Sequence, residues 1–146
     1  KCLAVGPCGH GLCPINACGN ASHNEDTRLT PNIHDYREQI EAALKHSGGT
    51  HIFQDIVDAV SEGRMQMWPN GGTVAITEII VYPRKKVLHV FIGSGKRAEL
   101  FEMIDVAWRW GQALGCSAMT LAGRKGWMKL MGKHGFKPTL YVMEKS

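Results

Sequence analysis

The apolar pattern predicts an α/β chain of the α+β type. It calls for a mixed, mostly antiparallel sheet flanked by helices, in the order α-α-β-β-β-α-β-α-β, behind an irregular arm. Three observations carry this reading. Two helical periods come before any strand. Two turn signals, Pro69-Asn-Gly-Gly72 and Pro83-Arg-Lys-Lys86, separate three β-branched stretches and imply antiparallel hairpins. A long helical period then joins two apolar stretches, which makes a β-α-β crossover with parallel strands.

Residues 1–34 are rich in Gly, Cys, Asn and Pro and show neither period, so they read as the arm; 35–146 read as one domain. Asp35 and Glu38 have the spacing of a capping box before a helix with Tyr36, Ile40, Ala43 and Leu44 inward. Gly48-Gly49 ends it. Thr50 is placed to cap a second helix carrying Ile52, Phe53, Ile56, Val57 and Val60, and Gly63 stops that one. Arg64 to Trp68 alternates, with Met65 and Met67 on one side, and Thr73 to Tyr82 should pair with it. Val87 to Ile92 is apolar enough for a central strand. Gly93-Ser-Gly95 leads into the longest helix, Lys96 to Leu114, with Leu100, Phe101, Ile104, Ala107 and Trp108 as its buried stripe. Cys116 to Ala122 is the next strand. Trp127, Leu130 and Met131 fall at i, i+3 and i+4 of a short helix stopped by Gly135, and a last strand covers Thr139 to Glu144.

The chain has 146 residues, 44% hydrophobic and 21% charged, an ordinary globular balance for one domain with its own core. No apolar run approaches the roughly 20 residues of a membrane span, and no secretory signal pattern is present. The expectation is a soluble, cytoplasmic chain with no membrane partner. The net charge of +4 is unevenly placed. From Arg84 onward there are 12 Lys/Arg against 4 Asp/Glu; before it there are 5 against 9. An anionic partner for the second half is one reading, and ordinary solvated faces are the other. No recognised nucleic-acid motif accompanies the basic residues.

Four of five cysteines, Cys2, Cys8, Cys13 and Cys18, lie in the first eighteen residues. Zinc would need thiolates and imidazoles converging on one ion, and the close Cys-x2-Cys pairs of common zinc sites are missing. Disulfides and plain reduced thiols are the alternatives. Cys116 reads as a small buried apolar residue at a strand start.

The strand, Gly-rich turn and long helix from Val87 to Leu114 are where an anion could be held. Free backbone N–H groups at a helix start attract phosphates, and Lys96 and Arg97 add charge there. An ordinary tight turn uses the same residues. His89, inside the third strand, is either a hydrogen-bonded structural histidine or a base. His134 suits the favourable dipole at a helix end. Trp68, Trp108, Trp110 and Trp127 read as core, with Trp68 beside a turn as an alternative exposed binding aromatic.

A closing helix, Gly135-Phe136 and a final strand, after this element order, resemble the GNAT acyltransferase superfamily over about Asp35 to Lys145. The resemblance implies a CoA-binding slot between two parallel strands, here Val87–Ile92 and Ser117–Leu121, with Val90 and Ile92 lining it. The family's loop before the long helix is Gln/Arg-x-x-Gly-x-Gly/Ala. Aligned on Leu100, its first glycine falls on Gly95, its second on Arg97 and its leading Gln/Arg on Ile92, so one of three positions matches. The resemblance implies that amides of Gly93, Ser94, Gly95, Lys96 and Arg97 hold the CoA pyrophosphate. The family's proton-donating Tyr falls on Met131, which has no proton to give; Tyr141 matches no motif position. A central-strand Glu often serves as base, and Glu78 is the acidic residue of the Thr73–Tyr82 strand. An exposed partner for a Lys is the other reading of Glu78.

Thr77-Glu-Ile, Tyr82-Pro-Arg-Lys, Gly115-Cys116 and Gly123-Arg-x-Gly-Trp127 together are similar to GNAT-like proteins of tailed bacteriophages. Two expectations follow from resemblance. One is an enzyme moving an acetyl or other acyl group from acetyl-CoA to an amine by direct attack. The other is a catalytically silent structural protein located in a phage virion, with other virion proteins as partners.

Overall fold

A computed structural model of the chain describes residues 32–146. The readings made for the arm, including zinc or disulfides at Cys2, Cys8, Cys13 and Cys18, lie outside the described residues. The elements are a 3-10 turn, Ile33–Tyr36, followed by α1 (Arg37–Leu44), α2 (Phe53–Ser61), β1 (Met65–Asn70), β2 (Thr73–Val81), β3 (Lys86–Ser94), α3 (Arg97–Ala113), β4 (Ala118–Leu121) and α4 (Lys125–Gly132). The sheet runs β1-β2-β3-β4 in space. The first two pairings are antiparallel hairpins, and β3–β4 is the parallel crossover through α3.

The 3-10 turn and α2 start where side-chain oxygens take up free backbone N–H groups. Asn32 accepts from the His34 amide at 3.0 Å, and Asp35 returns the bond to the Asn32 amide at 3.1 Å. The box is therefore Asn32/Asp35, one turn earlier than Asp35/Glu38. At α2, Asp55 reaches back to the Ile52 amide at 2.9 Å. Thr50 donates instead to the Ser47 carbonyl, so it closes the preceding turn and does not cap α2.

Alternation along β1 and β2 sends Met65, Met67, Val74 and Ile76 to one face, where Tyr36, Ile40, Leu44, Phe53, Ile56 and Val60 cover them. Trp68, Ala75 and Leu88 point to the other face, under Leu100, Ile104, Ala107 and Trp110 of α3 and Met131 of α4. Trp68 is 2% exposed, which removes its reading as a surface aromatic. Its indole N–H donates to Thr77 at 2.9 Å, and Thr77 in turn donates to Gln66 at 3.0 Å, satisfying a polar chain inside the core. Gly111 lets α3 lie close on the sheet. A Cβ there would stand 2.9 Å from a Leu88 methyl. The buried stripe of α3 accordingly runs through Trp110 and Gly111, with Trp108 only half-buried.

Both ends of α3 are tied to the sheet. Lys86 of β3 donates to the Leu114 carbonyl at 2.9 Å, and the Lys96 amide donates to Thr73 of β2 at 2.8 Å. His134 stacks on Phe101 with ring centroids 3.7 Å apart, so packing on α3 is its main contact.

The C-terminal strand expected at Thr139 to Glu144 is not formed. Residues 137–146 carry no secondary structure, and Leu140, Tyr141, Val142 and Met143 are 80–93% exposed. Apolar content fits a segment to be a strand, but a strand exists only when an edge pairs with it.

Candidate functional site

The site is built by one irregularity in β3. Its partners on β2 run Val90↔Thr77 and then Ile92↔Ile76, so Phe91 is an extra residue, a bulge. On its other side β3 pairs with β4 only from Val87↔Ala118 to Val90↔Leu121. Phe91, Ile92, Gly93 and Ser94 continue along β2 with no mate on β4. The parallel pairing thus ends at Val90, and the last four residues of β3 face a gap in the sheet on the β4 side, the candidate slot. The sequence reading placed Gly93 and Ser94 in a turn; they belong to the strand.

Gly95 and the start of α3 close the mouth of the slot. Gly95 has φ +129°, and a Cβ there would fall within 2.7 Å of Thr73 atoms. No other residue fits that backbone. The contact seats Lys96 so that its amide is taken by Thr73. The amides at the mouth are therefore not all equal: that of Lys96 is already used. The hydroxyl of Thr73 also donates to Glu99 at 3.4 Å, which sets a carboxylate against the helix start on the side of the β1–β2 turn. Gly95, Lys96 and Arg97 are exposed, while Val90 and Ile92 are buried.

One residue below the parting point, a row of side chains crosses all four strands on the α1/α2 face. Met65 pairs with Glu78, Glu78 with His89, and His89 with Thr120. His89 Nδ1 lies 2.9 Å from the Thr120 hydroxyl. Burial holds the His89 pKa below the usual imidazole range, partly offset by Glu78, which favours the charged ring. Burial therefore favours the neutral form of the His89 ring. Glu78 is half-buried and makes no ion pair among the described residues, so its reading as a Lys partner finds no contact.

His51, on the link between α1 and α2, leans on the bulged Phe91 with ring centroids 4.7 Å apart. A groove of about 340 Å³ lined by Thr50, His51, Asp55, Asp58, Arg64 and Met65 lies beside it. Met65 connects this groove in register to Glu78. Sequence reasoning missed Phe91, Thr73, Thr120 and His51. Only His51 gave a signal, as an imidazole beside a helix start. Met131 is 4% exposed and packed in the α3/α4 core, away from any chemistry. Among the described residues no group of three metal-binding side chains converges, and no helix is long and apolar enough to cross a membrane.

No protein-family model matches the chain, and no curated protein matches it in sequence. Solved structures do match in shape. Aminoglycoside N-acetyltransferase AAC(6')-Iy in complex with CoA superposes with a TM-score of 0.58 at 15% identity, over 78% of this chain and 87% of that one. A GNAT family acetyltransferase from Staphylococcus aureus gives 0.52 at 10% identity, over 80% and 94%. This chain has the GNAT fold. Glucosamine-6-phosphate N-acetyltransferase from Arabidopsis thaliana also shares the GNAT fold with it, at a TM-score of 0.53 and 13% identity over 80% and 94%. The acceptors in these names, an aminoglycoside and glucosamine-6-phosphate, are both amino sugars, but a likeness in fold alone leaves the acceptor of this chain open.

Proposed function

We propose that this chain is an acyl-CoA-dependent N-acyltransferase of the GNAT superfamily, with acetyl-CoA as donor and an amine as acceptor. The observation that carries the reading is the slot, where β3 and β4 run parallel and part at Val90, next to the glycine-seated start of α3. The residues present fit the donor. The unmated backbone of Phe91 to Ser94 offers a pantetheine amide the N–H and C=O groups a missing strand would have used. Exposed Gly95, Lys96 and Arg97 stand where a pyrophosphate would sit. The donor supplies an acyl group on a thiol leaving group.

The chain's own residues do the rest. Neutral His89 takes the proton lost by the acceptor nitrogen, directly or through water, and Glu78 beside it supports the imidazolium that results. Thr120 holds the ring through Nδ1; in the tautomer that donates from Nδ1 to the hydroxyl, Nε2 is the proton acceptor. Backbone N–H groups along the slot polarise the thioester carbonyl. In the balanced reaction the N–C bond forms, the C–S bond breaks, and the departing thiolate is protonated from solvent, since Met131 cannot do it. The groove under His51, Asp55 and Asp58 is the acceptor side, joined to the row through Met65.

Purified protein should melt several degrees higher with millimolar acetyl-CoA than without it, because a ligand of the native state raises apparent stability. Absence of any shift at that concentration would overturn the reading. A shift without acyl transfer to a panel of small amines would instead favour a silent GNAT-fold chain, the form the virion reading takes.

A further inference from the structure

The charge of the chain is sorted by layer. From Arg37 to Glu62, the α1/α2 layer carries five Asp/Glu against two Lys/Arg. α4 packs on the opposite face of the sheet. Between Asp105 and Glu144 there is no acidic residue, and Arg109, Arg124, Lys125, Lys129, Lys133 and Lys137 are all exposed. None of these cations makes an ion pair among the described residues. Lys125, Lys129 and Lys133 follow one another at i, i+4 and i+8, so they form one ridge, on the side of α4 away from Trp127 and Met131.

The ridge works against the helix that carries it. Like charges at i, i+4 repel. Arg124 and Lys125 sit at the helix start, the positive end of its dipole, and no acid stands in the first turn to offset them. Packing on α3 uses the apolar face and needs none of these cations. The countercharge of the ridge therefore comes from outside the chain.

We propose that the exposed face of α4 binds the phosphate backbone of duplex DNA without reading its sequence. The cations are chiefly lysines, which protein interfaces deplete and phosphates accept. Met128 is the only large apolar side chain exposed on α4, so the face lacks the aromatic anchor that a protein partner would bury. Lys125 to Lys133 advance by about 12 Å, room for about three successive phosphates of one strand. The aromatic ring of α4, Trp127, packs on the core and is not free to stack an unpaired base, which favours a duplex over a single strand. The acidic α1/α2 layer repels the same polyanion and so fixes which face turns towards it. This inference does not rest on the acyltransfer reading.

The test is fluorescence anisotropy of a labelled duplex of about 20 base pairs, titrated with the full chain from about 50 to about 200 mM salt. Two duplexes of unrelated sequence should bind alike. With about four phosphates neutralised, affinity should fall with salt at a log–log slope of about −3 to −4. Lys129→Gln combined with Lys133→Gln should weaken binding about tenfold or more and reduce the slope by about 2, with an unchanged melting temperature. Lys45→Gln, on the acidic layer, should change neither. No binding at about 100 µM chain in about 50 mM salt would overturn the proposal. A double variant that binds like wild type would overturn it as well. Displacement by poly-glutamate at a lower charge concentration than by unlabelled duplex would overturn it in favour of an acidic protein partner.

Discussion

The two halves of β3 are both largely apolar and opposite in circumstance. Val87 and Leu88 are 1% and 0% exposed, bonded to β2 on one side and β4 on the other. Phe91, Ile92, Gly93 and Ser94 keep β2 but lose β4. Hydrophobicity does not separate them. Pairing does: Phe91 is an extra residue against β2, and β4 ends at Leu121 while β3 goes on. A strand can thus be paired on both sides along one half and on one side along the other without becoming less apolar.

The comparison breaks most severely at Gly95. Gly95→Val puts branched carbons where Thr73 already stands, at a φ that only glycine adopts readily, and should cost about 3–5 kcal/mol in urea unfolding or prevent folding. If it folds with normal stability, the seating of α3 on β2 is wrong. Leu88→Ala, in the zipped half, should cost about 2–5 kcal/mol by the same measurement, with acetyl-CoA binding to the surviving fold little changed. Thr120→Val removes the hydroxyl at His89 Nδ1 and should cost about 1 kcal/mol, while kcat falls more than stability would suggest because the ring loses its fixed tautomer. The smallest effect is Glu78→Gln. Without that charge the His89 pKa drops further, so the acid limb of kcat/KM should move to lower pH, with no change in melting temperature at pH 8.

A linked effect sharpens the last case. His89 has a lower pKa folded than unfolded, so the folded state favours the neutral ring. That contribution is complete above the unfolded value of about 6.5 and is lost as pH falls from there through the folded pKa. Wild type should lose stability over that window, and His89→Gln should lose less.

The sheet was legible in the sequence because turn chemistry and strand periods agreed. Pro69-Asn-Gly-Gly72 ends with Asn70 facing Thr73 across a two-residue turn, and Met65 and Met67 share a face as expected. Glu78 and His89 were singled out separately; that they are cross-strand neighbours depends on a register that no local pattern fixes. The parallel β3–β4 pair was expected, but that the pairing stops at Val90, beside an extra residue at Phe91, leaves no mark in composition. Helix starts were misplaced because Asp35 and Asp55 act backward, on Asn32 and Ile52, and either spacing reads as a cap. The last strand failed because its apolar residues signal strand composition, while no described strand pairs with it.

The two anchors of α3, Lys86 on Leu114 and Thr73 on Lys96, bracket the helix like the ends of a clamped beam. They tie one side of the candidate slot to the sheet at both ends of the helix. On the proposed reading, opening for a long, narrow molecule would come from the less tethered side, the short β4 with α4 behind it. Loosening that side by shortening α4 should quicken entry and escape together, while the resting width of the mouth stays set by β3.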